Sequence, residues 1–253
     1  MANLFNEIFY RPLFNALFFL YEYIPGQDLG IAIIVLTIFI RFILFPLFYK
    51  GAKDQAIMQR LAPKIKEVQE SHKDDREKQA KAMMDLYREH KVNPLSQFLI
   101  IIIQLPILIA LYRVFWKGIA EIPSGILYSF IPQITDLNHY FFGVIDLSKR
   151  NLAIVILAAL AQYFQGKLSL IKNNKNDKNL TPMEKMAKQM VFLGPILTIA
   201  FLSYLPSAVG LYWLATSVFS VIQQMFINKQ LNISSEKLIE VDKKLHKKHY
   251  GKI

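Results

Sequence analysis

In "TIFIRFILFPL", residues 37–47, a single arginine interrupts a run otherwise suited to lipid. A charge at the centre of a membrane-spanning helix costs about 2.5–3.5 kcal/mol on insertion scales, so Arg41 needs a physical reason to be there. The other apolar runs hold no Asp, Glu or His that could neutralise it; the five histidines (72, 90, 139, 246 and 249) all fall in polar segments. Three resolutions remain: the side chain snorkels to the nearer surface, it faces water, or a partner brings the anion. The same inventory excludes chemistry. Proton-coupled carriers use intramembrane acids or histidines, and Ser/His/Asp hydrolysis would lack two of its three members. Carboxylate or imidazole ligands for a metal are missing from the apolar runs too, and no glycine-rich phosphate loop is present. With no cysteine there is neither disulfide nor thiolate site. The sequence therefore implies no enzyme, no cofactor and no metal.

The polar residues that the apolar runs do contain fall at helical spacings. Gln97 and Gln104 are seven apart with Ser96 beside them, and Gln162 and Gln165 share another run. Trp213, Ser217, Ser220 and Gln224 follow i, i+4, i+7, i+11, one continuous stripe on a helix. Thr37 lies one turn from Arg41. Taken singly, such residues are interhelical hydrogen-bonding glue. Taken together, from four runs, they could line one hydrated recess around a positive charge.

The elements that position them are membrane spans. Hydropathy windows of about 19 residues give five: 29–49, 94–115, 151–168, 189–205 and 208–227, the last two joined by a tight turn at Pro206 and Ser207. Of the 30 Lys and Arg, 11 fall in 50–93, six in 167–188 and seven in 228–253; the segments on the other side, 1–27 and 116–150, hold only Arg11, Lys117, Lys149 and Arg150. The positive-inside rule puts the three basic regions in the cytoplasm, the N-terminus outside and the C-terminus inside. The opening residues show no basic, apolar and small-residue succession of a secretory signal. Residues 1–27, aromatic-rich but broken by Glu7, Arg11, Pro12 and Glu22, read as an amphipathic helix in the outer interface, with a sixth span as the alternative.

Residues 50–93 read as a cytoplasmic helical hairpin. Ile57, Leu61, Ile65 and Val68 repeat at helical spacing, as do Ala80, Met83, Met84 and Tyr87, around the charged turn "SHKDDRE". The alternative is a solvated spacer. Methionine suits promiscuous apolar contacts, so Met83 and Met84 are candidates for capturing a client. The outer loop 116–150 is expected to hold short interfacial helices, and the Asn/Lys-rich loop 169–187 to be mobile. The basic tail 231–253 would meet anionic lipid or ribosomal RNA phosphates. The fold class is thus an all-α polytopic membrane protein, with a five-span core over 28–230.

At this point the residues resemble a family. "RPLFNALFFLYEYI", "IVLTIFIRFILFPL", "MQRLAPKIKEVQE", "MMDLYREHKVNPLSQFLIIIIQLPILIALYRVF", "AQYFQGKLS" and "FLSYLPSAVGLYWLATSVFSVIQQMFINK" are similar, in order over about 9–230, to the YidC family of membrane-protein insertases. The resemblance implies a positively charged groove open to cytoplasm and lipid and closed outside, with an arginine at Arg41 and groove positions at Thr37, Gln165 and Trp213. To these the helical spacings add Gln104, Gln162 and Ser217. It implies nascent membrane proteins as clients, a hairpin needed for insertion, and work in the bacterial cytoplasmic membrane alone or with the Sec translocon; the ribosome is a further partner through the tail. The extra N-terminal span and periplasmic domain of Gram-negative members, and the lipobox cysteine of many Gram-positive ones, have no counterpart in these residues. A small-solute channel or carrier is the alternative reading, though such proteins show coupling acids or an inverted repeat and neither is visible; a structural scaffold is the third.

Overall fold

The computed structural model describes residues 2–115, 125–132, 137–170 and 182–250; for 2, 3, 97, 182–184 and 231–250 it describes only the course of the backbone. Most of the expected mobile loop, part of the outer loop and the side chains of the basic tail therefore lie outside the described residues. Within them the chain is all-α apart from one two-stranded β-hairpin. A short helix α1 (Ala2–Phe5) leads through a π turn, Asn6–Tyr10, into α2 (Arg11–Tyr23). Pro12 in the first turn of α2 has no N–H to donate. The outer-interface helix expected from sequence corresponds to α2, and its Phe14, Leu17, Phe18 and Tyr21 are fully buried against the bundle.

Helix α3 (Leu29–Ile43) begins where the Asp28 carboxylate accepts the Ile31 N–H at 2.9 Å, a side-chain N-cap. It ends earlier than the expected 29–49. Pro46, in the first turn of α4 (Phe45–Ser71), cannot donate back one turn, and the two helices bend by 65° at Leu44. The apolar stretch expected as the first span is therefore divided between α3, roughly 22 Å long at 1.5 Å per residue, and the start of α4. α4 swings away to form the expected helical hairpin with α5 (Arg76–Glu89). Leu61, Ile65, Leu86 and Val92 make the hairpin's own small core, with Ile57, Met58, Val68, Met83 and Tyr87 around it.

α6 (Ser96–Arg113), α7 (Leu152–Ser169), α8 (Pro182–Leu202) and α9 (Ser207–Tyr250) follow at the positions of the remaining four spans. By length and composition α7, Lys185–Leu202 of α8 and Ser207–Gln230 of α9 can each cross a membrane, α3 with α4 forms a bent apolar pair, and Phe98–Arg113 is a shorter apolar helix. The chain is a polytopic membrane protein. α9 is its hub, packed on α7, α3 and α4, with α8 behind α7 and α2 on α3. The α7–α9 approach is close at Gly210, where an added Cβ would lie 3.0 Å from Ile154.

The described part of the outer loop holds no interfacial helix. It carries instead β1 (Tyr140–Phe141) paired antiparallel with β2 (Ile145–Asp146). Asn15, 2% exposed, clamps this side: its amide donates to the Arg11 and Ile126 carbonyls and its oxygen accepts the Tyr128 N–H at 2.6 Å. The start of α9 is held by the same loop, with the Ser207 N–H donating to the Lys149 carbonyl and the Ala208 N–H to that of Leu147.

Candidate functional site

Arg41 sits in the last turn of α3, and it is 6% exposed. Its Nη2 donates to Ser220 Oγ at 2.7 Å and to the Thr216 carbonyl at 3.2 Å, both on α9. The guanidinium lies over the Phe48 ring at 4.2 Å, a contact available because the bend at Pro46 turns α4 back across it. Among the described residues no carboxylate comes within ion-pair distance of Arg41, and its Nη1 is buried with no hydrogen-bond partner. Phe48 and Ser220 hold the side chain in place, but they leave its charge unneutralised.

Arg41 borders a partly open recess of about 270 Å³. Phe48, Ala52 and Gln55 of α4, Ile100 of α6, Gln165 and Ser169 of α7, and Ser220, Gln223, Gln224 and Ile227 of α9 complete its lining. The Nε2 of Gln223 is likewise buried without a partner. Gln223 lies three residues from Ser220, hence on the same face of α9. Two residues of the recess wall, one of them charged, thus each hold a buried nitrogen without a partner. Leaving a donor unpaired and dry costs about 1–3 kcal/mol.

The mouth of the recess is held by side-chain amides. Gln59 Nε2 donates to the Ser169 carbonyl at 3.1 Å and Asn228 Nδ2 to that of Leu168 at 2.7 Å, satisfying the free carbonyls at the end of α7. Gln224 Nε2 donates in turn to Asn228 Oδ1 at 3.0 Å. Nearby, the buried Asp54 of α4 accepts the Ser96 hydroxyl at 2.5 Å, tying the hairpin helix to the first turn of α6. From Arg41 back toward the start of α3 the bundle is filled: Leu36, Ile33 and Leu29 are each 2% exposed or less.

Of the residues singled out from sequence, Arg41 and Gln165 meet at the recess. Thr37 is buried one turn away, its hydroxyl donating to the Ile33 carbonyl at 2.6 Å. Gln104 donates to the Tyr212 hydroxyl and Gln162 accepts from that of Thr198, so both join neighbouring helices outside the lining. Trp213 is half-buried against the apolar core. It lies seven residues from Ser220, about 10 Å along α9. Ser217 is 3% exposed and is not among the lining residues. In the hairpin Met83 packs into the core between α4 and α5 while Met84 is 48% exposed. Sequence reasoning missed Gln55, Ser169 and Gln223. The first lies beyond the expected end of span one and returns only through the bend; Gln223 had a signal, seven residues from Thr216 and three from Ser220.

A family profile described as "60Kd inner membrane protein" matches residues 19–236. A membrane protein insertase YidC of Pelobacter propionicus is 35% identical over 222 residues, covering 88% of this chain and 39% of that protein. That of Wolinella succinogenes is 35% identical over 227 residues, 90% of this chain and 38% of its own length. For the Magnetococcus marinus protein the figures are 35% over 206 residues, 81% and 33%. The chain spans less than two fifths of the length of these relatives.

Proposed function

This chain belongs to the 60Kd inner membrane protein family, shared with the YidC insertases, and from that premise we propose that it inserts nascent membrane proteins and assists their folding. The observation that carries the reading is a buried, unneutralised arginine on a recess with unpaired donors, at the end of a bundle whose other end is packed shut. A bundle filled beyond Arg41 favours a one-sided recess over a passage for solutes. No bond is made or broken. A client's short outer tail enters the recess, where Arg41, Gln223 and Gln165 replace part of its lost hydration. Its apolar segment meanwhile follows the lipid-exposed side chains of the first, third and fifth spans, among them Phe39, Phe42, Leu160, Phe164, Ile222 and Phe226.

A shorter path through hydrocarbon lowers the barrier, and the membrane potential favours outward transfer of an acidic tail by about 2.3 kcal/mol per charge per 100 mV. The hairpin α4–α5 receives the client first, with Met84 as an exposed contact and Met83 available on loosening of the hairpin core. The basic tail beyond Gln230 meets anionic lipid or the ribosome, the N-terminus stands outside, and the protein acts alone or beside the Sec translocon in a bacterial cytoplasmic membrane. The test is reconstitution. Liposomes holding only this protein should insert a single-span client with a short acidic tail several-fold faster than empty liposomes, scored by protease protection. Equal protection in both would overturn the proposal.

A further inference from the structure

The outer β-hairpin carries a feature that client insertion does not use. Phe142 and Val144 at its tip are 70% and 80% exposed, and no charged side chain occurs from Tyr140 to Ile145. Phe142 and Gly143 have φ of +50° and +68°, the left-handed pair of a primed turn, closed by the Val144 N–H donating to the Phe141 carbonyl at 3.1 Å. A phenylalanine at positive φ is strained, and Asn or Gly would suit the position better. The bulky aromatic is held there by its N–H, which donates to Asp28 Oδ2 at 2.6 Å.

Phe141, the neighbouring residue, fixes the depth. Its ring lies where a Cβ on Gly30 would stand, 2.2 Å from its Cδ2, so only glycine lets the hairpin seat on the first turn of α3. The same ring closes the end of an apolar crevice of about 310 Å³ between Ile34 and Ile38 of α3 and Leu211, Val218 and Phe219 of α9. The tip thus continues the lipid-facing surface of two spans. Part of its backbone is satisfied internally, as an apolar surrounding favours: besides the 142 and 144 bonds, the Tyr140 N–H donates to Asn138 Oδ1 and the Leu147 N–H to the His139 carbonyl. Charge resumes at Asp146, Lys149 and Arg150, beside the start of α7.

We infer that the Phe142–Val144 tip is a lipid anchor, inserted into the leaflet opposite the α4–α5 hairpin. Through Phe141 on Gly30 and Asp28 at the helix cap it pins the end of α3. That sets the depth of Arg41, about 20 Å further along the helix at 1.5 Å per residue. The inference holds whether or not the chain inserts clients.

The chain has no cysteine, so single-cysteine variants are unambiguous. Spin labels at Phe142→Cys, Val144→Cys and, as a polar exposed control, Ser148→Cys would be read in vesicles of phosphatidylethanolamine and phosphatidylglycerol at high lipid-to-protein ratio. Labels at 142 and 144 should collide with oxygen, which concentrates in lipid, several-fold more than with a water-soluble nickel chelate, and the 148 label should show the reverse. Nickel accessibility at 144 equal to that at 148 would overturn the anchor. Shielding of 144 from both reagents would also overturn it, in favour of a protein covering the tip. Phe142→Asn supplies a second arm: it suits the turn better, so the hairpin persists, but the label at 144 should move several-fold toward nickel accessibility. An unchanged profile would show that the aromatic does not anchor.

Discussion

Arg41 accounts for its own burial through what it touches and what it leaves untouched. Ser220, Thr216 and Phe48 hold the guanidinium, while Nη1 and the Nε2 of Gln223, another residue of the recess wall, are buried without a partner. Removing one such donor tests whether the recess is a binding wall or a packing defect. Gln223→Leu discards a buried unpaired amide, so thermal unfolding in detergent should show stability unchanged or raised by about 1 kcal/mol, while insertion of acidic-tailed clients slows. Loss of stability would show that Gln223 is a structural bond. At this scale the sequence was legible for type but not for partner. A polar residue in an apolar run announces a hydrogen bond. Only the packing shows that Gln104 spends it on Tyr212 and Gln162 on Thr198, whereas Gln165 stays at the recess. Residues on one helical stripe also differ in depth, which is why Trp213 and Ser220 part company.

Elements reached from the apolar patterning were the five apolar helices and the α4–α5 hairpin. The bend at Pro46 was not, because a window average runs across a proline that redirects the helix without changing its composition. The outer β-hairpin escaped because "YFFGVID" lacks the Asn-Gly or Asp-Gly signal and reads as interfacial aromatics. Two contacts between elements are open to measurement. Ser96→Ala leaves the buried Asp54 carboxylate without its hydroxyl donor, at a cost of about 1–3 kcal/mol. Adding Asp54→Leu should recover much of that loss in thermal unfolding, and additive losses would show that the two residues are not coupled. On the outer side, the Asp146 carboxyl is held down to about 2, first by the Ser148 hydroxyl and then by Lys149. Its stabilising effect is therefore full above the ordinary value near 3.9 and fades as pH falls through about 2. Hydrogen-exchange protection of the Ala208 amide, which the same loop holds, should be unchanged from about pH 7 to 5 and decline only in the acid range set by that shift. A decline already between 7 and 5 would contradict it, and Asp146→Asn should remove the acid dependence.

Across the whole molecule, charge is uneven along the chain and packing is uneven along the bundle. Twenty-four of the 30 basic residues fall in 50–93, 167–188 and 228–253, and the end of the bundle away from the recess is closed by Phe14, Phe18, Leu29, Leu147 and Val209, each 1% exposed or less. The closure was not readable from the sequence, since it depends on α2 and the loop before α7 packing over the ends of the helices. A positive recess with one open end makes the charge of the client decisive. The most direct test is a charge exchange in liposomes, with Arg41→Glu measured against one client carrying an acidic tail and the same client with each acid changed to lysine. The account predicts that Arg41→Glu slows the acidic client strongly and spares or speeds the lysine client, while Arg41→Lys keeps most activity on the acidic one. Equal rates for both clients with Arg41 and with Arg41→Glu would contradict it, and would leave the arginine a surface anchor with no part in insertion.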